Sequence, residues 1–203
     1  AGLRALMAIM VDMDSDRPIR ETHIRPDEAL LDACPYFDRN VYHDRVERFY
    51  DHDEHASYFG GVRRRVFGGQ EPGKDERFFY CLNKTPLLKY DASFVLADNL
   101  HWTNCRETAE AAGCLLHFKF LSGFVSQAAS EAGRKEHWNG AVQYARYDAV
   151  LDERPDLALY DPALSVRFQD SRQLEDLGIL RGVTAKPRIA VTESNLPPAG
   201  SST

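Results

Sequence analysis

The sequence predicts a mixed α/β domain, and three stretches carry that expectation. Residues 3–13, "LRALMAIMVDM", form a continuous apolar run that ends in acids, the pattern of a central buried strand. In α/β folds such strand ends face the ligand crevice. Residues 114–120, "CLLHFKF", read as a second strand. Alternation puts Leu115, His117 and Lys119 on one face and Leu116, Phe118 and Phe120 on the other. Residues 126–155 read as two helical stretches, separated near Asn139-Gly140 and stopped before Pro155. Trp138, Val142, Tyr144, Ala145, Tyr147 and Leu151 fall at spacings of three and four, the mark of an amphipathic face.

The remaining text fills in between these elements. Residues 14–28 are loop, broken by Pro18 and Pro26. "RPDEALLDAC" carries an early proline and acids in its first turn, the signature of a short helix. Residues 35–56, aromatic and charged, read as irregular structure around a short helix. "SYFGGVRRRVFGGQ" follows, a basic segment with a glycine pair at each end. "QEPGKDER" is a surface turn, and "FFYCLNKTPLLKY" reads as strand, a bend at Pro86, then strand. Residues 93–104 read as strand and loop, and "CRETAEAAG" as a solvated connection. Residues 165–180 hold a last strand and a short helix. Beyond them no periodicity remains, so the expected organisation is a domain over 1–180 and a flexible tail over 181–203.

Composition narrows the function classes. The chain has 203 residues, 43% hydrophobic and 28% charged, ordinary values for one globular domain. A net charge of −6 argues against a generic nucleic-acid surface, which would be basic. Cys34, Cys81, Cys105 and Cys114 form no CxxC pair and no zinc-finger spacing, so they read as reduced thiols of a cytoplasmic protein. No apolar run reaches the roughly 18 residues of a membrane span, and no signal-peptide pattern is present. Because the text opens almost directly on a buried strand, a preceding N-terminal portion is expected.

Six stretches occur in an order that resembles the C-terminal half of bacterial family 2-type glycosyltransferases, of the branch related to family 92-like enzymes. They are "ALMAIMVDMDSD", "YFGGVRRRVFG", "LNKTPLLKY", "NLHW", "CLLHFKFLSGF" and "RKEHWNGAVQYARYDAVL". The resemblance implies a GT-A-like α/β fold and inverting transfer of a sugar from a nucleoside-diphosphate donor to a glycan or other hydroxyl acceptor. It also implies a divalent metal, Mn²⁺ or Mg²⁺. The Asp-x-Asp metal motif of such enzymes lies upstream of the region that these stretches match. "DMD" at residues 12–14 is not assigned to it, because the family text has Asp-Met-Tyr here; a structural or acceptor-side role is expected for Asp14.

The chemistry needs a stabilised leaving diphosphate, a base for the acceptor and an aligned acceptor. Arg63, Arg64 and Arg65 suit phosphate through their planar forks. On a helix, however, neighbouring side chains diverge by about 100°, so one or two at most can face a site. A solvated basic face is the alternative. Lys84, before the Pro86 bend, is a phosphate or acceptor contact or a plain surface lysine. Asp98 and His101 are the candidate catalytic pair at the acceptor, with Trp102 stacking on a sugar; the alternative is a packed polar-aromatic cluster. The resemblance sets the His117 strand near the donor diphosphate. It makes His117 a metal or diphosphate ligand and Lys119 a diphosphate contact. His52 and His55 in "DHDEH" read as a solvated polar loop, and His137 and Trp138 as helix packing.

Overall fold

The computed structural model describes residues 4–39, 41–49, 53–68, 82–97, 101–103 and 108–180. The described part is mixed α/β. Its strands are β1 (Ala5–Asp14), β2 (Tyr36–Asp38), β3 (Val41–Phe49), β4 (Asp53–Gly60), β5 (Asn83–Leu88), β6 (Leu96–Ala97), β7 (Trp102–Thr103), β8 (Thr108–His117) and β9 (Ser165–Arg167). Its helices are α1 (Leu30–Ala33), α2 (Ser122–Arg134), α3 (Trp138–Glu153) and α4 (Ser171–Asp176), with a short π-helical turn at Arg63–Phe67.

β1 is the hub of the main sheet. β8 runs parallel to it, with Asp12 opposite His117, and β5 runs antiparallel, with Ala8 opposite Lys84. The last two residues of β1 pair with β2, and β2 pairs with β9. β3 and β4 form a separate hairpin.

Alternation along β1 divides the molecule. Ile9, Val11 and Met13 enter one core with Phe37, Leu82, Leu174 and Ile179. Asp12 and Asp14 therefore project from the opposite face. A second core gathers Val62 and Phe67 at the π-turn, Phe120 just before α2, Phe124 from α2, and Tyr147 and Leu151 from α3. The Phe67 and Phe120 rings stack at 5.4 Å, and the Phe124 and Tyr147 rings meet edge-on at 5.1 Å. Such pairs add to the area they bury.

Several expectations change. Residues 41–49 and 53–60 pair as a hairpin and are not irregular; their charges sit on a two-stranded ribbon whose period-2 pattern has no continuous apolar face to reveal it. His55 is the register partner of Glu47 in that hairpin, while His52 lies outside the described residues. Residues 108–113 of the "solvated connection" belong to β8, which runs from Thr108, while residues 105–107 lie outside the described residues. Pro86 does not break the chain: it sits in β5 where the register with β1 shifts, at the edge of the sheet, where a strand tolerates proline. The helices separate at residues 135–137, with Lys135 left-handed as the C-cap of α2, and positive φ recurs at Gly140 and Ala141. Phe120 leaves the core of Leu116 and Phe118 for the second one, because β8 ends at His117.

Phe120→Ala should lower unfolding free energy by about 3–5 kcal/mol, whereas Leu87→Ala, at 65% exposed, should stay within about 0.5 kcal/mol. Urea unfolding checks both; equal small losses would remove Phe120 from the core.

Candidate functional site

The parallel register that pairs Asp12 with His117 sets their side chains next to each other on the face away from the first core. His117 Nδ1 lies 2.7 Å from Asp12 Oδ1. Arg63, from the π-turn, closes on the same carboxylate, with Nε 2.6 Å from Oδ2 and Nη2 2.7 Å from Oδ1. Arg63 Nη2 also lies 2.9 Å from His117 Nδ1. Burial alone would push the Asp12 carboxyl up. The Arg63 charge and the hydrogen bonds from His117 and Arg63 outweigh it and hold Asp12 below its ordinary value. The carboxylate is 1% exposed, but the His117 side chain is 37% exposed, so its ring reaches a free surface.

That surface is a cavity of about 460 Å³, lined by His117, Lys119, Gly123, Phe124, Gln127 and Tyr144 among others. The first turn of α2 opens onto it through Gly123 and Phe124. Its Ser122 N–H donates to the Thr22 carbonyl at 2.9 Å and its Phe124 N–H to the Leu121 carbonyl at 2.8 Å, so the helix start contributes mainly the positive end of its dipole. Lys119 Nζ sits 4.4 Å from the Tyr147 ring centroid, 5.0 Å from Phe124 and 5.2 Å from Tyr144. Its removal from water, with a push from Arg63 that Asp12 partly offsets, brings its pKa down to about 7. Lys119 is thus poised between amine and ammonium at neutral pH, and an anion beside it would draw the proton back.

A second clamp lies along the same face. Arg65 grips Asp38 through two bonds, Nε to Oδ2 at 2.7 Å and Nη2 to Oδ1 at 2.9 Å, and also donates to the Leu159 carbonyl. Ser165 Oγ donates to Asp38 Oδ1 at 3.2 Å. Asp14 is fully buried on this face, and neither of its oxygens has a hydrogen-bond partner among the described residues. Burial, then repulsion from Asp38, Asp12 and Asp16 against a partial offset by Arg65, raises it to about 8. At neutral pH Asp14 is a neutral acid.

The structure brings His117 and Lys119 to one cavity. It sends Arg63 and Arg65 to protein carboxylates and leaves Arg64 on the exposed side. Lys84 faces the same way as Asp12 but four residues back along β1, a separation of about 13 Å at strand rise. His101 is half-buried in the turn before β7, which packs against β5. Asp98 and the Trp102 side chain lie outside the described residues. Cys34 and Cys114 are free thiols, raised by burial to about 11 and about 12; Cys81 and Cys105 lie outside the described residues. Tyr144 was legible as an amphipathic-face residue. Asp38, Gly123 and Gln127 carried no sequence signal, because only the sheet register and the start of α2 give them a place.

Comparisons with known protein families, with curated proteins and with solved structures gave no match for this chain. Among the described residues, no helix is long and apolar enough to cross a membrane.

The titrations of Asp14 and Lys119 give stability opposite slopes with pH. The folded chain keeps the Asp14 proton to about pH 8, whereas an unfolded aspartate loses it near 3.8. The folded state binds the extra proton in that window, so this contribution falls as pH rises from 4 to 8. Lys119 loses its proton near 7 when folded and near 10.5 when unfolded, so its contribution rises across that range. Asp14→Asn should therefore gain stability over wild type progressively from pH 5 to pH 8, read from urea unfolding at each pH. A constant difference between the two proteins across that range would show that Asp14 does not hold the proton.

Proposed function

We propose that this chain belongs to a glycosyltransferase that moves a sugar from a nucleoside-diphosphate donor to a glycan or other hydroxyl acceptor, with the cavity beside His117 as the seat of the diphosphate. The observation that carries the reading is the convergence of Lys119, the positive end of α2 and the exposed edge of His117 on one cavity. Lys119 supplies a cation that an anionic ligand stabilises, and the positive end of a helix dipole favours an anion. Phe124 and Tyr144 wall the cavity and lower its polarity, which strengthens both contacts.

A divalent ion fits here only as one shared with the donor. His117 offers a single imidazole nitrogen, and among the described residues no group of three His, Cys, Asp or Glu is arranged to hold a metal. The remaining ligands would come from diphosphate oxygens and water, as is usual for Mg²⁺. When bound, such an ion neutralises charge on the leaving diphosphate. Asp98 and His101 stand as the proposed acceptor-side pair, with Trp102, and Lys84 as a contact further along the face.

A second reading, a glycan- or partner-binding module without chemistry, is favoured by one observation: Arg63 and Arg65 are already committed to Asp12 and Asp38. Measurement separates the two. A panel of nucleoside diphosphates, titrated with and without Mn²⁺, should bind at this cavity. Lys119→Ala should weaken binding about 10-fold or more, the scale of one charge-assisted hydrogen bond, and His117→Ala should remove the Mn²⁺ dependence. Binding unchanged in both folded variants would overturn the site, and binding with no release of sugar from any nucleotide sugar would favour the module.

A further inference from the structure

We propose that Asp12 is a positioning residue: it holds the imidazole proton of His117 at Nδ1 and so turns a lone pair at Nε2 toward the cavity, with Arg63 as its brace. The proton placement follows from the geometry alone; only the identity of the ligand that meets Nε2 rests on the transferase reading.

Two tautomers of the neutral imidazole compete at His117. In one, Nδ1 carries the proton and donates to Asp12 Oδ1 at 2.7 Å. In the other, Nε2 carries it and Nδ1 accepts from Arg63 Nη2 at 2.9 Å. The second pattern faces the Nδ1 lone pair against a carboxylate oxygen at 2.7 Å, in a place where the carboxylate is 1% exposed and water cannot separate them. An ionised carboxylate only accepts. In the first pattern Arg63 gives up Nδ1 as an acceptor but keeps the carboxylate, with Nη2 2.7 Å from Asp12 Oδ1 and Nε 2.6 Å from Oδ2. The distance is also set by the sheet: Asp12 and His117 are register partners on parallel strands, so no loop motion separates them.

The consequence divides the two roles that remained open for His117. A neutral imidazole with its proton on Nδ1 offers a lone pair at Nε2, which suits a cation and cannot donate to a phosphate oxygen. Lys119 and the first turn of α2 are then left to the phosphate oxygens. Arg63, which its place in the basic segment made a candidate phosphate contact, instead fixes the carboxylate that fixes the histidine. Partners of this kind orient metal-binding imidazoles and raise their basicity.

The test uses the whole chain labelled with ¹⁵N in its histidines, with His117→Gln assigning the resonances. Long-range ¹H–¹⁵N spectra of the wild type should show a protonated Nδ1 and a lone-pair Nε2 at His117. A protonated Nε2 with a lone-pair Nδ1 would overturn the proposal. Because Asp12→Asn alone strands a buried arginine and can prevent folding, the second sample is the doubly neutral Asp12→Asn, Arg63→Gln chain. The Nδ1 preference should be lost there, and Mn²⁺ affinity in the presence of UDP should fall roughly 10–100-fold. Retention of the Nδ1 proton in that folded variant would show that Asp12 does not set it. If the wild type has the Nδ1 proton and its Nε2 ignores Mn²⁺ with UDP, the positioning role stands and the transferase reading fails.

Discussion

The buried pair of Arg63 with Asp12 joins the two cores of this protein. Asp12 belongs to β1, whose other face anchors the first core, and Arg63 belongs to the π-turn, whose Phe67 anchors the second. Taking both charges out of water costs several kcal/mol per ion, and only good geometry offsets it. Here Arg63 Nη2 donates to Oδ1, Nε lies 2.6 Å from Oδ2 as an ion pair, and the Asp12–His117 contact adds a second hydrogen bond to the same carboxylate. Such a pair adds little net stability, yet losing one partner leaves the other charged and buried. The turn is therefore fixed over β1, beside the His117 edge of the cavity.

The same face shows how far two arginines can go. Three acids, Asp12, Asp14 and Asp38, project from it, and Arg63 and Arg65 each neutralise one. Among the described residues Asp14 is left without a cation of its own or a hydrogen-bond donor, and its neutral form is the least costly state. Like charges that share a dry site cannot all ionise. Arg64, between the two clamps, stays at the surface. The basic segment reads as a run of three equivalent charges, and its fold makes them three different things.

What could be read in the sequence was local. β1 was legible because an apolar run of one strand length fits the middle of a buried sheet, and α3 because its apolar spacings repeat. The charged hairpin Val41–Phe49 with Asp53–Gly60 was not legible, and neither was the start of β8 at Thr108, since both stretches lack the alternation that marks a strand with one buried face. At the site, His117 and Lys119 stood out because polar residues in an apolar strand call for a reason. Their partners did not, for Asp12 lies 105 residues from His117 in sequence. Only register brings them together, and register is a property of the folded sheet.

His117 and Lys119 are two residues apart and face one cavity, yet opposite constraints act on them. β8 ends at His117, so the histidine is held by sheet register beside a carboxylate that stays ionised. Lys119 lies past the end of the strand, where the chain turns into α2, and its ammonium meets aromatic faces in place of a carboxylate. The first environment fixes where a proton sits; the second makes a proton easy to lose. A cavity with a fixed lone-pair donor on one side and a protonatable amine on the other distinguishes cations from anions by position. That arrangement suits a ligand that carries both, as a diphosphate with its counter-ion does.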